Sequence, residues 1–361
     1  MDRRSFLKQA GAGLAASTFI LPTIAQAQGG PLIKWRMASS YPKSLDTLAG
    51  TGEFLSKRLS EITDGKFQIE FFPAGEIVPA FGVLDAVRDG TVELGHTCSY
   101  YYYGRDATFC LDSAIPFGMN NRQMNAWYRE GSGSKLMGEF FAKWNIVAFP
   151  CGNTGAQMGG WFRREIRSAS DLKGLKMRIA GLGSDVMVKL GVMPQQMPGE
   201  DILAALQKGS IDAAEWIGPY DDLKLGLNKA ARYYYYPGWW EGSVQISAYV
   251  NAGKWGELPK EYQAAFRCAC ADAHTELLSR YDARNPAALQ QLVASGVRLR
   301  PFPKDVMEKA YKTAMAVYAD ISAMNPDFAR IYSDYKKFMD AQNAWFRIAD
   351  SSYTRFMESR R

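Results

Sequence analysis

Arg88-Asp89-Gly90-Thr91-Val92-Glu93-Leu94-Gly95-His96 and Gln207-Lys208-Gly209-Ser210-Ile211-Asp212-Ala213-Ala214-Glu215 are two copies of one pattern. A Gly-Glu pair precedes each, at Gly75-Glu76 and Gly199-Glu200, and the first copy carries five more residues in between. In both, a helical run with apolar residues on one face closes at Asp89-Gly90 or Lys208-Gly209, and a strand-like run follows. Ahead of the first copy stand the strand-like Leu32 to Met37 and a helical face of Phe54, Leu55, Leu59 and Ile62 stopping at Asp64-Gly65. The alternating Phe67-Gln68-Ile69-Glu70-Phe71-Phe72 follows. Ahead of the second stand a strand from Leu175 to Ala180, a helix from Gly183 to Leu190 and a short strand from Val192 to Gln195. Two β-α-β-α-β units predict two α/β lobes, each a parallel sheet covered by helices. Ligands of such sheets bind outside the carboxyl ends of the strands, so His96 and Thr97 to Tyr103 are expected to face Glu215-Trp216 across a central cleft.

The chain is expected to cross between lobes near Phe149 to Gln157 and again near Trp239 to Tyr249. Residues 28–152 with about 245–300 then form the first lobe, 153–244 the second, and 301–361 a helical C-terminal segment. Leu258-Pro259 opens a helix to about Asn285, Pro301-Phe302-Pro303 breaks the chain, and Lys304 to Met324 is helical again. Asn325 is an N-cap with Pro326 in the first turn. From Phe328 to Phe356 aromatic and apolar residues recur at three- and four-residue steps, which predicts one helix over 326–358, about 50 Å long. That exceeds one lobe and suits either the hinge side of both lobes or a second subunit.

The 361 residues, 47% hydrophobic and 22% charged, match an ordinary globular protein too long for a single core. Two histidines, His96 and His274, exclude a histidine-built zinc cluster and leave few bases for a hydrolase triad. Residues 1–27 read as an export signal: Arg3-Arg4-Ser5-Phe6-Leu7-Lys8, an apolar stretch from Ala10 to Ile24, and an Ala25-Gln26-Ala27 cleavage site. The paired arginines resemble a twin-arginine signal, which predicts a periplasmic protein. Three basic residues and one acidic one leave with it, reducing the net charge from +6 to +4. No basic run occurs, so no nucleic-acid partner is expected. Of the five cysteines, only Cys98 and Cys110 are left open as a disulfide pair.

Gly131-Ser132-Gly133-Ser134-Lys135 lacks the spacing of a phosphate loop and opens a helix instead. Arg178 stands near the end of a strand, where its planar fork fits either a carboxylate ligand or a structural acid. Glu215 ends the second repeat and suits a cation ligand, a general base or an ion-pair partner. Glu241, in Trp239-Trp240-Glu241-Gly242, adds a second acid, and Gln157 an amide oxygen. Hard oxygens suit sodium, calcium or magnesium rather than zinc or copper. The runs Tyr100 to Tyr103 and Tyr233 to Tyr236 are expected as strands, with at most one or two members of each at a ligand.

Three stretches carry a resemblance: Ile166-Arg167-Ser168-Ala169-Ser170-Asp171-Leu172-Lys173-Gly174-Leu175-Lys176-Met177-Arg178, the segment Glu200 to Trp216, and Phe72-Pro73-Ala74-Gly75-Glu76. They resemble the periplasmic substrate-binding proteins of tripartite ATP-independent (TRAP) transporters. The resemblance implies a two-lobed periplasmic binding protein fold with a central cleft and long C-terminal helices. It implies that Arg178 pairs with a substrate carboxylate. Glu215-Trp216 and the Trp-Trp-Glu-Gly segment are similar to the branch that binds 2-oxo acids such as pyruvate with sodium or calcium. In that reading Gln157, Glu215, Glu241 and the Trp216 carbonyl hold the cation. Gln157, Trp216, Glu241, Tyr100 and Asn153 join Arg178 around the substrate. The absence of asparagine from Ala213 to Ile217 argues against sugar acids. The partners implied are the TRAP membrane subunits, and a homodimer through the C-terminal helix is a further expectation. An enzyme is not expected; the rivals are an ABC-type receptor for an organic anion and a periplasmic enzyme acting on a small acid.

Overall fold

A computed structural model describes residues 30–360; the export-signal reading lies outside them. Eleven strands among these residues form two sheets. The first has the order β2-β1-β3-β10-β4, built from β1 (Ile33–Ser39), β2 (Phe67–Phe72), β3 (Leu94–Thr97), β4 (Ile146–Asn153) and β10 (Gln245–Asn251). β1 is parallel to β2 and β3, and β10 runs antiparallel to β3 and β4. The second sheet has the order β11-β9-β5-β8-β6-β7, from β5 (Trp161–Phe162), β6 (Lys176–Arg178), β7 (Met193–Gln195), β8 (Ala213–Ala214), β9 (Tyr233–Tyr236) and β11 (Arg298–Pro301). The chain leaves the first sheet after Asn153 and returns to it at Gln245.

Helix α1 (Leu48–Ile62) buries Leu55 and Leu59 in the first lobe, as its spacing predicts, whereas Phe54 is half-buried and Ile62, in the last turn, is exposed. Trp35 meets Phe67 edge-on at 4.8 Å there, and Phe266 closes the cluster. α2 (Pro219–Leu225) follows β8 in the second lobe, with Pro219 in its first turn. α3 (Lys260–Ala294) does not stop near Asn285 as expected but runs 35 residues through Pro286. A proline removes one helical hydrogen bond, and burial of Tyr281 before it and of Ala288 and Leu292 after it holds the helix together. α3 is therefore shared: Phe266 and Ala269 pack in the first lobe, while Tyr281 and Leu292 belong to the larger core that includes the second sheet.

Other expectations are corrected by non-local contacts. Arg298–Pro301, assigned to the first lobe and the break after it, pairs in parallel with Tyr233–Tyr236 and so completes the second sheet. Tyr100 to Tyr103 do not form a strand; Ser99–Tyr102 is a 3-10 turn in which the Tyr100 and Tyr101 rings pack edge to face at 5.3 Å. Cys98 and Cys110 are not bonded, all five cysteines being free thiols, and Cys98 Sγ lies 2.8 Å from Ser113 Oγ.

The helix expected over Lys304 to Met324 is present, and the single helix expected over 326–358 is two. α4 (Lys304–Met324) leans on the second lobe, where the Lys189 ammonium meets Asp320 at 2.7 Å. Asn325 caps α5 (Pro326–Ile348), accepting from the Phe328 amide at 3.0 Å. α5 docks on the first lobe: the Met119 amide donates to the Tyr335 hydroxyl at 2.7 Å and the Trp127 indole to Asp334 at 2.8 Å. At Ala349 the chain turns into α6 (Asp350–Glu358), which buries none of its residues.

Candidate functional site

Between the sheets the first lobe brings Tyr41, Leu48, Cys98, Tyr100 and Tyr101 against Gln157, Trp216 and Ile217. They enclose a cavity of about 10 Å³, room for roughly one water molecule, so the cleft is shut. Gly181 makes the approach possible. It sits at φ 59° between β6 and the next helix, and a Cβ there would lie 3.1 Å from the Tyr100 Cβ.

β6 and β8 run side by side, Arg178 opposite Ala214, so Arg178 and Glu215 emerge together at the cleft end of the sheet. Arg178 is 1% exposed and Glu215 0%. The Arg178 Nη1 donates to the Glu215 carboxylate and, at 2.8 Å, to the Glu215 carbonyl; its Nε donates to the Met197 carbonyl at 3.2 Å. The guanidinium lies over the Trp216 ring at 4.9 Å. Of the roles left open for Glu215, ion-pair partner is the one drawn here. Arg178 Nη2, Glu215 Oε2, Glu241 Oε2 and Gln157 Oε1 are buried with no hydrogen-bond partner among the described residues. The Gln157 amide nitrogen is spent on Thr154 at 3.2 Å, which aims its oxygen elsewhere.

Burial pushes the Glu215 carboxyl up to about 7 against the pull of Arg178. Burial, and next the Glu215 charge, hold Glu241 well above the usual carboxylate range, while Arg178 and a hydrogen bond from Tyr100 pull it down. Burial works hardest against the charged form of Arg178, but Glu215, Tyr101, Tyr100 and Glu241 together outweigh it and raise its pKa. Were both acids charged beside one base the site would carry an excess of negative charge; burial favours their protonated forms instead, and a bound cation would let them ionise. Among the described residues no three His, Cys, Asp or Glu side chains gather as a metal centre. A cation here would rest on two carboxylates, one amide oxygen and a main-chain carbonyl. These are hard donors, which fit sodium or calcium.

Of the expected residues, Arg178, Glu215, Glu241, His96 and Asn153 do not line the closed cavity. His96 does not face Glu215; it is buried behind the cleft, its Nδ1 3.3 Å from Ser39 Oγ and its ring 5.3 Å from Tyr41. Asn153 ends β4, its Oδ1 accepting from the Gly155 amide at 2.8 Å, and it is the next residue, Thr154, that lines the cavity. Tyr101 lines it, as expected of Thr97 to Tyr103, while Tyr41, Leu48, Val244 and Ile246 line it without having been singled out in the sequence. Each is an ordinary apolar or aromatic residue in an ordinary element, so no local signal marked it.

Burial lowers the His96 pKa to about 3. Between that value and the unfolded one near 6.5 the unfolded chain binds the extra proton, so this histidine costs stability as pH falls below about 6.5. Denaturant unfolding of wild type and His96→Gln at about pH 7 and about pH 5 should show their stability difference move against wild type by about 1–2 kcal/mol at the lower pH. An unchanged difference would mean that His96 does not stay neutral in the fold.

Two α/β lobes shut over a small buried pocket, with a buried arginine stacked on the Trp216 ring of its wall, define a solute-binding protein of the two-lobed class. Residues 38–325 match the model of bacterial extracellular solute-binding protein family 7. A monocarboxylate 2-oxoacid-binding periplasmic protein of Nostoc sp. is 46% identical over 99% of this chain and 100% of its own. A TRAP transporter solute-binding protein of Bordetella bronchiseptica, crystallised as a dimer with calcium and picolinate, shares 50% identity and a TM-score of 0.90 over 91% of this chain and 98% of its own. One from Pseudoalteromonas atlantica with bound sodium and pyruvate shares 34% identity and a TM-score of 0.87 over 90% and 98%. The chain belongs to family 7 of the bacterial extracellular solute-binding proteins, the receptors of TRAP transport systems. No helix among the described residues is long and apolar enough to cross a membrane.

Proposed function

We propose that this protein captures a small 2-oxo acid, pyruvate or a near relative, together with sodium or calcium in the periplasm and delivers it to the membrane subunits of a TRAP transporter. The observation that carries the reading is the pairing of opposite needs in one buried cluster: an unpartnered guanidinium nitrogen on Arg178, whose other nitrogen pairs with Glu215, and unpartnered oxygens on Gln157, Glu215 and Glu241. The first suits a carboxylate, the second a cation. Arg178 then takes the ligand carboxylate, Trp216 and Tyr100 close over it, and the Trp216 carbonyl joins the cation. Asn153, one residue behind the cavity wall, has an unpartnered amide nitrogen with which to reach the ligand once the lobes part. The cavity is too small for an organic acid in the closed form, so entry requires opening. Incubating the purified protein with pyruvate and calcium, while following melting temperature and pyruvate concentration, tests the receptor reading. A raised melting temperature with pyruvate unconsumed is expected; consumption would make it an enzyme, and no shift would remove pyruvate.

A homodimer through the C-terminal helix belongs to the same proposal. Trp345, Ile348, Tyr353 and Phe356 are all more than half exposed along α5 and α6. The first lobe has a concavity of about 490 Å³ between α3, β4 and the helix Gly133–Ala142, floored by Phe141, Ile146 and Phe149. β4 is the edge of its sheet, and a second copy's distal helix would cover both surfaces. Light scattering should find full-length protein dimeric and a truncation ending at Asp340 monomeric or aggregated. A soluble full-length monomer excludes the exchange.

A further inference from the structure

We propose that Asp46 and Thr47 of the first lobe and Tyr220 and Asp221 of the second form a latch that holds the cleft shut beside the ligand pocket. Thr47 is the residue before α1, and Tyr220 and Asp221 lie in the first turn of α2. The Thr47 hydroxyl donates to Asp221 Oδ1 at 2.7 Å, and the Tyr281 hydroxyl of α3 donates to the other Asp221 oxygen at 2.8 Å. Thr47, Asp221 and Tyr281 are fully buried. Nearer the surface the Tyr220 hydroxyl donates to Asp46 at 3.0 Å, and Arg284 Nη1 donates to Asp46 at 2.8 Å and to the Tyr220 oxygen at 3.0 Å. The Lys224 ammonium adds a contact to Asp46 at 2.5 Å, and Arg280 holds the Asp46 carbonyl.

The Asp46 and Thr47 bonds to Tyr220 and Asp221 join residues 174 positions apart on different sheets' lobes. A swing of one lobe from the other breaks them together, whichever lobe α3 follows. The latch is also tied to the pocket: Leu48, next to Thr47, lines the cavity, and so do Trp216 and Ile217, the latter held through its amide by Asp222 at 3.3 Å. Movement of the lobes that widens the pocket for a ligand therefore pulls on the latch as well, and the latch draws the lobes back over whatever the pocket holds. Apparent affinity scales with the fraction of protein able to hold the closed form, so the latch sets affinity and residence time without touching the ligand.

Thr47→Val keeps the side chain's shape and removes only the donor. Pyruvate with calcium is the probe, so this arm rests on the proposed ligand, while X-ray scattering of ligand-free protein does not. Dissociation is expected about tenfold faster in Thr47→Val than in wild type, since a buried bond to a carboxylate shifts an equilibrium by about that factor or more. Ligand-free wild type should scatter as the closed form, and Thr47→Val with a larger radius of gyration. Asp46→Asn, at the exposed end, should move both readouts in the same direction even if Thr47→Val fails to fold. Unchanged scattering in the folded variants, or a pyruvate off-rate within about twofold of wild type, overturns the latch. A wild type that binds no pyruvate removes the ligand reading alone, and scattering then decides.

Discussion

Arg178→Ala is expected to weaken pyruvate binding by about two to four decades, the loss that follows when a desolvated charge-assisted pair is broken. The structure adds a second consequence. Arg178 also neutralises Glu215, and with the guanidinium gone that carboxylate is buried beside Glu241 with nothing to offset it. Uncompensated buried charge of this kind costs about 3–5 kcal/mol, so the alanine variant should melt well below wild type unless Glu215 takes a proton. Arg178→Lys separates the two effects. Lysine keeps the charge near Glu215 but lacks the planar fork, so the fold should survive and affinity should still drop by about tenfold or more. Calorimetry decides: a loss below about fivefold in the alanine variant would take Arg178 out of the site.

Removing the cation should be as damaging. Glu215 and Glu241 lie close enough for each charge to oppose the other, and an anionic ligand entering the same pocket adds a third negative group against one arginine. Chelator-stripped protein in sodium-free buffer is expected to bind pyruvate weakly or not at all, and sodium or calcium to restore binding. Glu215→Gln should lower cation affinity while sparing the charge on Arg178, and so shift the cation titration rather than abolish it. Equal pyruvate affinity with and without added cation would sink the metal assignment.

Local sequence determined the two-lobed α/β architecture. Gly-Glu, helix and Asp-Gly or Lys-Gly turn repeat before β3 and β8, and the face of Leu55 and Leu59 in α1 is set by helical spacing alone. Sequence also singled out Arg178, Glu215, Glu241 and Gln157, because charged or amide side chains are costly to bury without a purpose, whereas a role for Trp216 is implied by the family resemblance. Tertiary structure decided the rest. Pro286 reads as a stop, yet α3 passes through it because packing on both sides outweighs one lost hydrogen bond. Arg298–Pro301 becomes a strand only because Tyr233–Tyr236 lies beside it. Arg178 meets Glu215, and Thr47 meets Asp221, across 37 and 174 residues, distances over which periodicity and turn chemistry carry no signal. Periodicity says which face of an element is buried; which face it is buried against depends on the closure of the whole chain, and that alone buries two carboxylates and an arginine within reach of one another.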